Sequence, residues 1–170
     1  MLRRKKTKAA TLIWVTVMLI ASVVIPATTF GLHAGCSIKE RLLYPFLHAN
    51  LLHAALNIYV LLSAVFLYDV SPRQLFISYL IALSFPITQL STLNSQLSTT
   101  VGLSGINYAL MALIIPLVKQ PRPYIITVFA YIFVGFLFPN CNNLLHLYCF
   151  LLALPFSMLR YHRNKNHPTP

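Results

Sequence analysis

Three short groups of polar residues interrupt an otherwise apolar chain, and their types could support acyl-transfer chemistry. His48, His53 and Asn57 form the first group, Gly102, Ser104, Gly105 and Tyr108 the second, and Asn142, Asn143 and His146 the third. A serine hydroxyl becomes a nucleophile when a neutral imidazole within about 3 Å takes its proton. The oxyanion that forms then needs hydrogen-bond donors, and the Ser104 backbone N–H, His53 and Asn57 are available. On helices, His53 and Asn57 share a face at a spacing of four, as do Ser104 and Tyr108. His48 precedes His53 by five residues, so a continuous helix would turn it about 140° away. Ser104 falls at the expected N-terminus of a helix, where free N–H groups favour developing negative charge. Gly102 and Gly105 flank it and permit close approach by a substrate or a neighbouring helix.

Other chemistries lack their residues. The whole chain holds two carboxylates, Glu40 and Asp69, and Asp69 is expected at the opposite end from the three polar groups. Paired-carboxylate catalysis is therefore excluded, and a Ser–His–acid triad would need Glu40 to fold in from its loop. There is no HExxH motif, and His48 and His53 at a spacing of five suit zinc poorly, so no metal and no cofactor are expected. Gly-Leu-Ser-Gly is not the nucleophile elbow of soluble hydrolases, because the second glycine follows the serine directly. Cys36, Cys141 and Cys149 form no CxxC pair and read as separate thiols, a Cys36–Cys141 bridge being the alternative on an oxidising side.

The elements that must position these groups are membrane helices. Of 170 residues, 58% are hydrophobic and 9% charged, against about 25% charged in soluble domains. Apolar runs fall at 10–30, 46–68, 74–93, 103–118, 124–138 and 142–159, and stretches of about 20 residues suffice to cross the hydrocarbon core. The expected architecture is all-α: a polytopic bundle of six transmembrane helices over 10–160, between basic tails at 1–9 and 161–170. The fourth and fifth runs are short and imply helices that start part-way down.

Charge sets the orientation. With both termini inside, the inner segments carry Arg3, Arg4, Lys5, Lys6, Lys8, Arg73, Lys119, Arg122, Arg160, Arg163 and Lys165, which leaves only Lys39 and Arg41 outside. That asymmetry places both termini in the cytoplasm and requires an even number of spans. It also explains the net charge of +11 without nucleic acid, since the basic residues flank apolar runs and form no continuous groove. A cleaved signal peptide at the start would leave an odd number of spans, and no small-x-small cleavage site stands out.

Together the three groups resemble the rhomboid family of intramembrane serine proteases. In that family HxxxxHxxxN lies in the second helix, a GxSG serine opens the fourth and a base histidine lies in the sixth. His48, His53 and Asn57, then Gly102, Ser104 and Gly105, then His146 match this residue for residue and in order. The resemblance implies Ser104 as nucleophile, His146 as general base, and His53, Asn57 and the Ser104 N–H as the oxyanion hole. It further implies that the Tyr108 ring packs on His146 and that His48 organises the first external loop. Transmembrane proteins with small residues near the scissile bond would be the substrates, in the inner (cell) membrane of a bacterium. The fifth segment, with Phe129, Tyr131, Phe133, Phe136 and Phe138, reads as packing and lipid-facing surface, with a lateral gate as the family alternative. Two features depart from the family. The Trp-Arg pair of the first external loop is missing, the only tryptophan being Trp14, and Cys149 and Ala153 stand where glycines are usual.

Taken singly, Ser104 reads as helix-packing glue, and His146, His53 and Asn57 as satisfied bundle residues. Their co-occurrence at one depth carries the functional reading. Asn107, Asn142 and Asn143 read as caps or loop anchors. Water is expected to reach the site past the polar loop at 91–96. A non-catalytic binder of membrane helices and a small transporter are the competing classes.

Overall fold

The computed structural model describes residues 2–25, 30–87, 99–138 and 141–166, and among these the chain is all-helical apart from one isolated β-bridge. Six longer helices are α1 (Leu2–Val24), α3 (Leu51–Leu67), α4 (Pro72–Leu83), α5 (Ser104–Leu113), α6 (Pro121–Gly135) and α7 (Asn143–Asn166). A short helix, α2 (Ile38–Leu43), lies in the connection between α1 and α3. Among the described residues each of the six expected runs overlaps one longer helix, four of which begin before or end after their run. The ends of the first and third runs, the loop at 91–96 and the 139–140 break lie outside the described residues.

Local signals set the boundaries. Ser71 and Gln74 form a reciprocal capping box at α4, with Pro72 in the first turn, where its missing N–H costs nothing. Pro121 opens α6 in the same way, so the proline-containing break expected before residue 124 is itself the first turn. Ten residues of α5 give way to a 3-10 turn at Ile115–Leu117 around Pro116. At the start of the chain, α1 continues back through the basic residues expected as a tail, and α7 runs on to Asn166 past Pro155.

Cross-contacts fix an alternating arrangement. At one end, Lys8 of α1 meets Asp69 just after α3, Nζ to Oδ1 3.5 Å. Gln74 of α4 donates to the Leu113 carbonyl at the end of α5, and Tyr124 of α6 donates to the Met111 carbonyl. At the other end, the start of α3, the end of α4 and the starts of α5 and α7 meet around the polar groups. Ala82, Gly105, Leu145 and Cys149 make a close crossing: a Cβ on Gly105 would lie 3.3–3.4 Å from Ala82, Cys149 and Leu145. Leu103, Ile106, Leu110 and Phe150 are fully buried there. The outward faces are apolar instead, with Ile13, Val17, Leu67, Phe76, Ile126 and Phe133 exposed.

No single described helix is long and apolar enough by itself to cross a membrane; the bent pair Ile38–Phe46 and Leu51–Leu67, at 80°, passes by length and composition.

Candidate active site

The site is assembled at the end where α3, α5 and α7 begin. The strand-like entry to α5 is tied on several sides. Leu32 and Thr100 exchange backbone hydrogen bonds of 2.8 and 2.9 Å, and Gly102 N–H donates to the Tyr44 carbonyl at 3.0 Å. Asn142 Nδ2 donates to Thr100 Oγ1 at 2.9 Å. The Leu103 N–H donates to His48 Nε2 at 3.3 Å.

His48 corrects the sequence expectation. It lies ahead of α3, not on it, because Asn50 is the N-cap, its side chain accepting from the His53 N–H at 2.9 Å. An extended link therefore replaces the assumed helical turn, and the His48 and His53 rings meet edge-to-face at 5.2 Å. Gly102 has φ +118°, a region for glycine alone. A Cβ there would come within 2.8 Å of His53 Cε1. His53 thus lies against the loop that leads into Ser104.

Ser104 is the first residue of α5, so its N–H has no acceptor within the helix. One turn on, the Tyr108 ring stacks on His146 at 4.4 Å and 22°. Gly105 meanwhile touches Leu145 and Cys149 on either side of His146 along α7. The face of α5 that bears Ser104 and Tyr108 therefore packs against the face of α7 that bears His146. Among the described residues no hydrogen bond joins Ser104 to His146.

Asn57 Nδ2 donates to the His53 carbonyl at 3.0 Å. Its Oδ1 accepts from Asn107 Nδ2 at 3.1 Å, and its backbone carbonyl accepts from the same amide at 2.9 Å. Asn107, expected as a cap or anchor, is 3% exposed and leaves its own Oδ1 without a partner among the described residues. Asn142 does cap α7, its Oδ1 accepting from the Leu145 N–H at 3.0 Å. Asn143 does not: its Oδ1 lies 3.2 Å from His146 Nδ1.

Glu40 stays in its loop, in a capping box with Ser37 at the start of α2 and 3.4 Å from His33, so no carboxylate joins Ser104 and His146. Arg41 ties the same loop to the end of α4, donating to the Leu83 and Phe85 carbonyls at 2.7 and 2.8 Å. All three cysteines are free. Among the described residues no three His, Cys, Asp or Glu side chains gather as metal ligands.

The chain is an all-α bundle with Ser104 at the start of α5 and His146 on α7, the helix against which Tyr108 of α5 stacks. A family model described as the Rhomboid domain matches residues 36–159, most of the chain. The chain belongs to the rhomboid family, whose members are membrane proteins and generally intramembrane serine proteases. No curated protein and no solved structure matches it.

Proposed function

We propose that this chain is an intramembrane serine endopeptidase that cuts transmembrane-helix substrates, with Ser104 as nucleophile and His146 as general base. The observation that carries the reading is the stacking of Tyr108 on His146, which brings the helix face of Ser104 against the helix of the imidazole. His146 accepts the Ser104 proton as the hydroxyl attacks the scissile carbonyl, then returns it to the leaving amine. The oxyanion is met by the Ser104 N–H, His53 and the free hydrogen of the Asn57 amide. Water then hydrolyses the acyl-enzyme.

Six spans with both termini in the cytoplasm fit the alternation of the six longer helices and the placement of Arg73, Lys119 and Arg122 at the end away from the site. The site then opens toward the outer face of a bacterial cell membrane, and the exposed apolar sides face lipid.

The test is cleavage of a single-span protein substrate by detergent-purified protein. Wild type should cut near the outer end of the substrate helix and label with a fluorophosphonate. Ser104→Ala should do neither, and His146→Ala should lose cleavage. Cleavage that survives Ser104→Ala would overturn the assignment.

A further inference from the structure

We propose that Asn143 is a positioning residue for the general base, and that the end of α6 bears on the base through it; this rests on the proteolytic reading above. The third polar group holds two adjacent asparagines, and only the first is used as a cap. The second, 2% exposed, donates from Nδ2 to the Cys141 carbonyl at 3.2 Å. That bond fixes which end of the amide faces the imidazole, because a carbonyl oxygen can only accept. Oδ1 is therefore the atom 3.2 Å from His146 Nδ1. An amide oxygen has no proton to give, so Nδ1 must carry the hydrogen and Nε2 the lone pair.

The ring is thus held in two ways. Tyr108 fixes its plane by stacking, and Asn143 fixes its rotation and its tautomer. A base acting without a carboxylate partner needs the second constraint as much as the first. A neutral imidazole in the wrong tautomer presents a hydrogen where the serine proton must arrive. Asn143 also stabilises the imidazolium that forms, by accepting from the Nδ1–H whose partial charge grows.

Gly135, the last residue of α6, is where this amide rests. A Cβ on Gly135 would fall on Asn143 Oδ1 and lie 2.8 Å from Cγ and 3.2 Å from Nδ2. Asn143 cannot turn away, being held between this backbone, Cys141 and His146, so it would have to be pushed off the imidazole. The position of the last turn of α6 therefore sets the position of the amide, and through it the base.

The experiment compares full-length wild type, Asn143→Leu, Asn143→Asp, Gly135→Ala and the Gly135→Ala/Asn143→Leu pair, all purified in detergent. Cleavage kinetics of a single-span substrate are read alongside 15N spectra of histidine-labelled protein, with His146→Gln used to assign the His146 signals. Loss of one hydrogen bond to the base should lower kcat about 5–10-fold in Asn143→Leu, with KM changed by less than about twofold. Asn143→Asp, which keeps an acceptor oxygen, should recover most of that loss. Gly135→Ala should match Asn143→Leu and add nothing to it in the double variant. The His146 spectrum should show the Nδ1–H tautomer in wild type and a mixture in Asn143→Leu. Unchanged kcat and tautomer in a folded Asn143→Leu, or additive losses in the pair, would overturn the proposal. The tautomer reading is repeated in the Ser104→Ala background. If the wild type fails to cleave, the proteolytic reading falls alone, and the spectra still decide for or against Asn143.

Discussion

Gly102 is held in a backbone region closed to side chains and has His53 against its Cα. Gly102→Ala should therefore be doubly unfavourable, with strain of about 1–3 kcal/mol from the backbone alone and a shifted His53 in addition. The expected result is a lower melting temperature together with lost cleavage, measured on the same preparation. Asn57 and Asn107 separate stability from chemistry more cleanly. Asn57→Ala removes an oxyanion donor and should lower kcat by about 10²-fold. Asn107 touches no reacting atom in the proposed mechanism, yet its amide occupies Asn57 Oδ1 and so fixes the rotation of the Asn57 amide, leaving its NH2 group on the side of the His53 carbonyl. Asn107 also carries an unpartnered buried oxygen, so replacing it with leucine removes a desolvation cost as well as two hydrogen bonds. Asn107→Leu should melt close to wild type but lose kcat, and it should have no further effect on kcat in an Asn57→Ala background. A melting loss with intact kcat would reduce Asn107 to packing.

The short loop helix α2 shows what an element needs when it lies outside the bundle. Its capping box, the two bonds from Arg41 and the Tyr44 hydroxyl, which donates to the Ala82 carbonyl at 2.8 Å, fasten it over the end of α4. Tyr44→Phe should cost about 1 kcal/mol, since the Ala82 carbonyl is left buried without that partner, and thermal unfolding would measure it. The loop should also respond to pH. His33 is held above the ordinary histidine value by its bond to the Ala34 carbonyl, then by Glu40. Glu40 is held below the usual carboxylate range by Ser37, then by His33. The histidine contribution is complete below about pH 6.5 and is lost as pH rises through the raised value. The Glu40 contribution is lost only as pH falls through its lowered one. Hydrogen exchange across 36–46, corrected for its intrinsic pH dependence, should be slower at pH 6 than at pH 8, and His33→Gln should remove the difference. Little of this loop was legible in the sequence. The long apolar runs announced the six helices, and the spacing of Ser104 and Tyr108 announced one face. Run-length reading could not see that Asn50 would start α3 five residues late and leave His48 in a link. The anchoring by Arg41 and the pairing of Asn107 with Asn57 join residues far apart in sequence, and the pairing of Asn143 with His146 is hidden beside a capping motif. Only one clue was available for Asn143: two asparagines stand ahead of His146, and a helix needs only one cap.

At the scale of the molecule, two kinds of charge information agree. Basic residues gather where α1, α4 and α6 begin, and the polar site gathers where α3, α5 and α7 begin. In a bilayer the first end should face the cytoplasm, which would place the second end outward and, on the proposed proteolytic reading, have substrate cut from the outer side. The native thiols allow a direct test. Cys141 is exposed at the site end, just ahead of α7, and Cys149 is buried between helices. With Cys36 and Cys149 replaced by alanine, Cys141 should react with a membrane-impermeant maleimide in intact bacterial spheroplasts. In a variant with all three native cysteines replaced, Arg73→Cys or Lys119→Cys, both at exposed positions, should react only after the membrane is opened. The bundle gives this its force, because the helices alternate in direction through contacts at both ends and cannot be partly reversed. Labelling of Arg73→Cys and Cys141 from the same side would mean that the helices between them do not cross the membrane, and a site fed laterally by membrane helices would lose its physical basis.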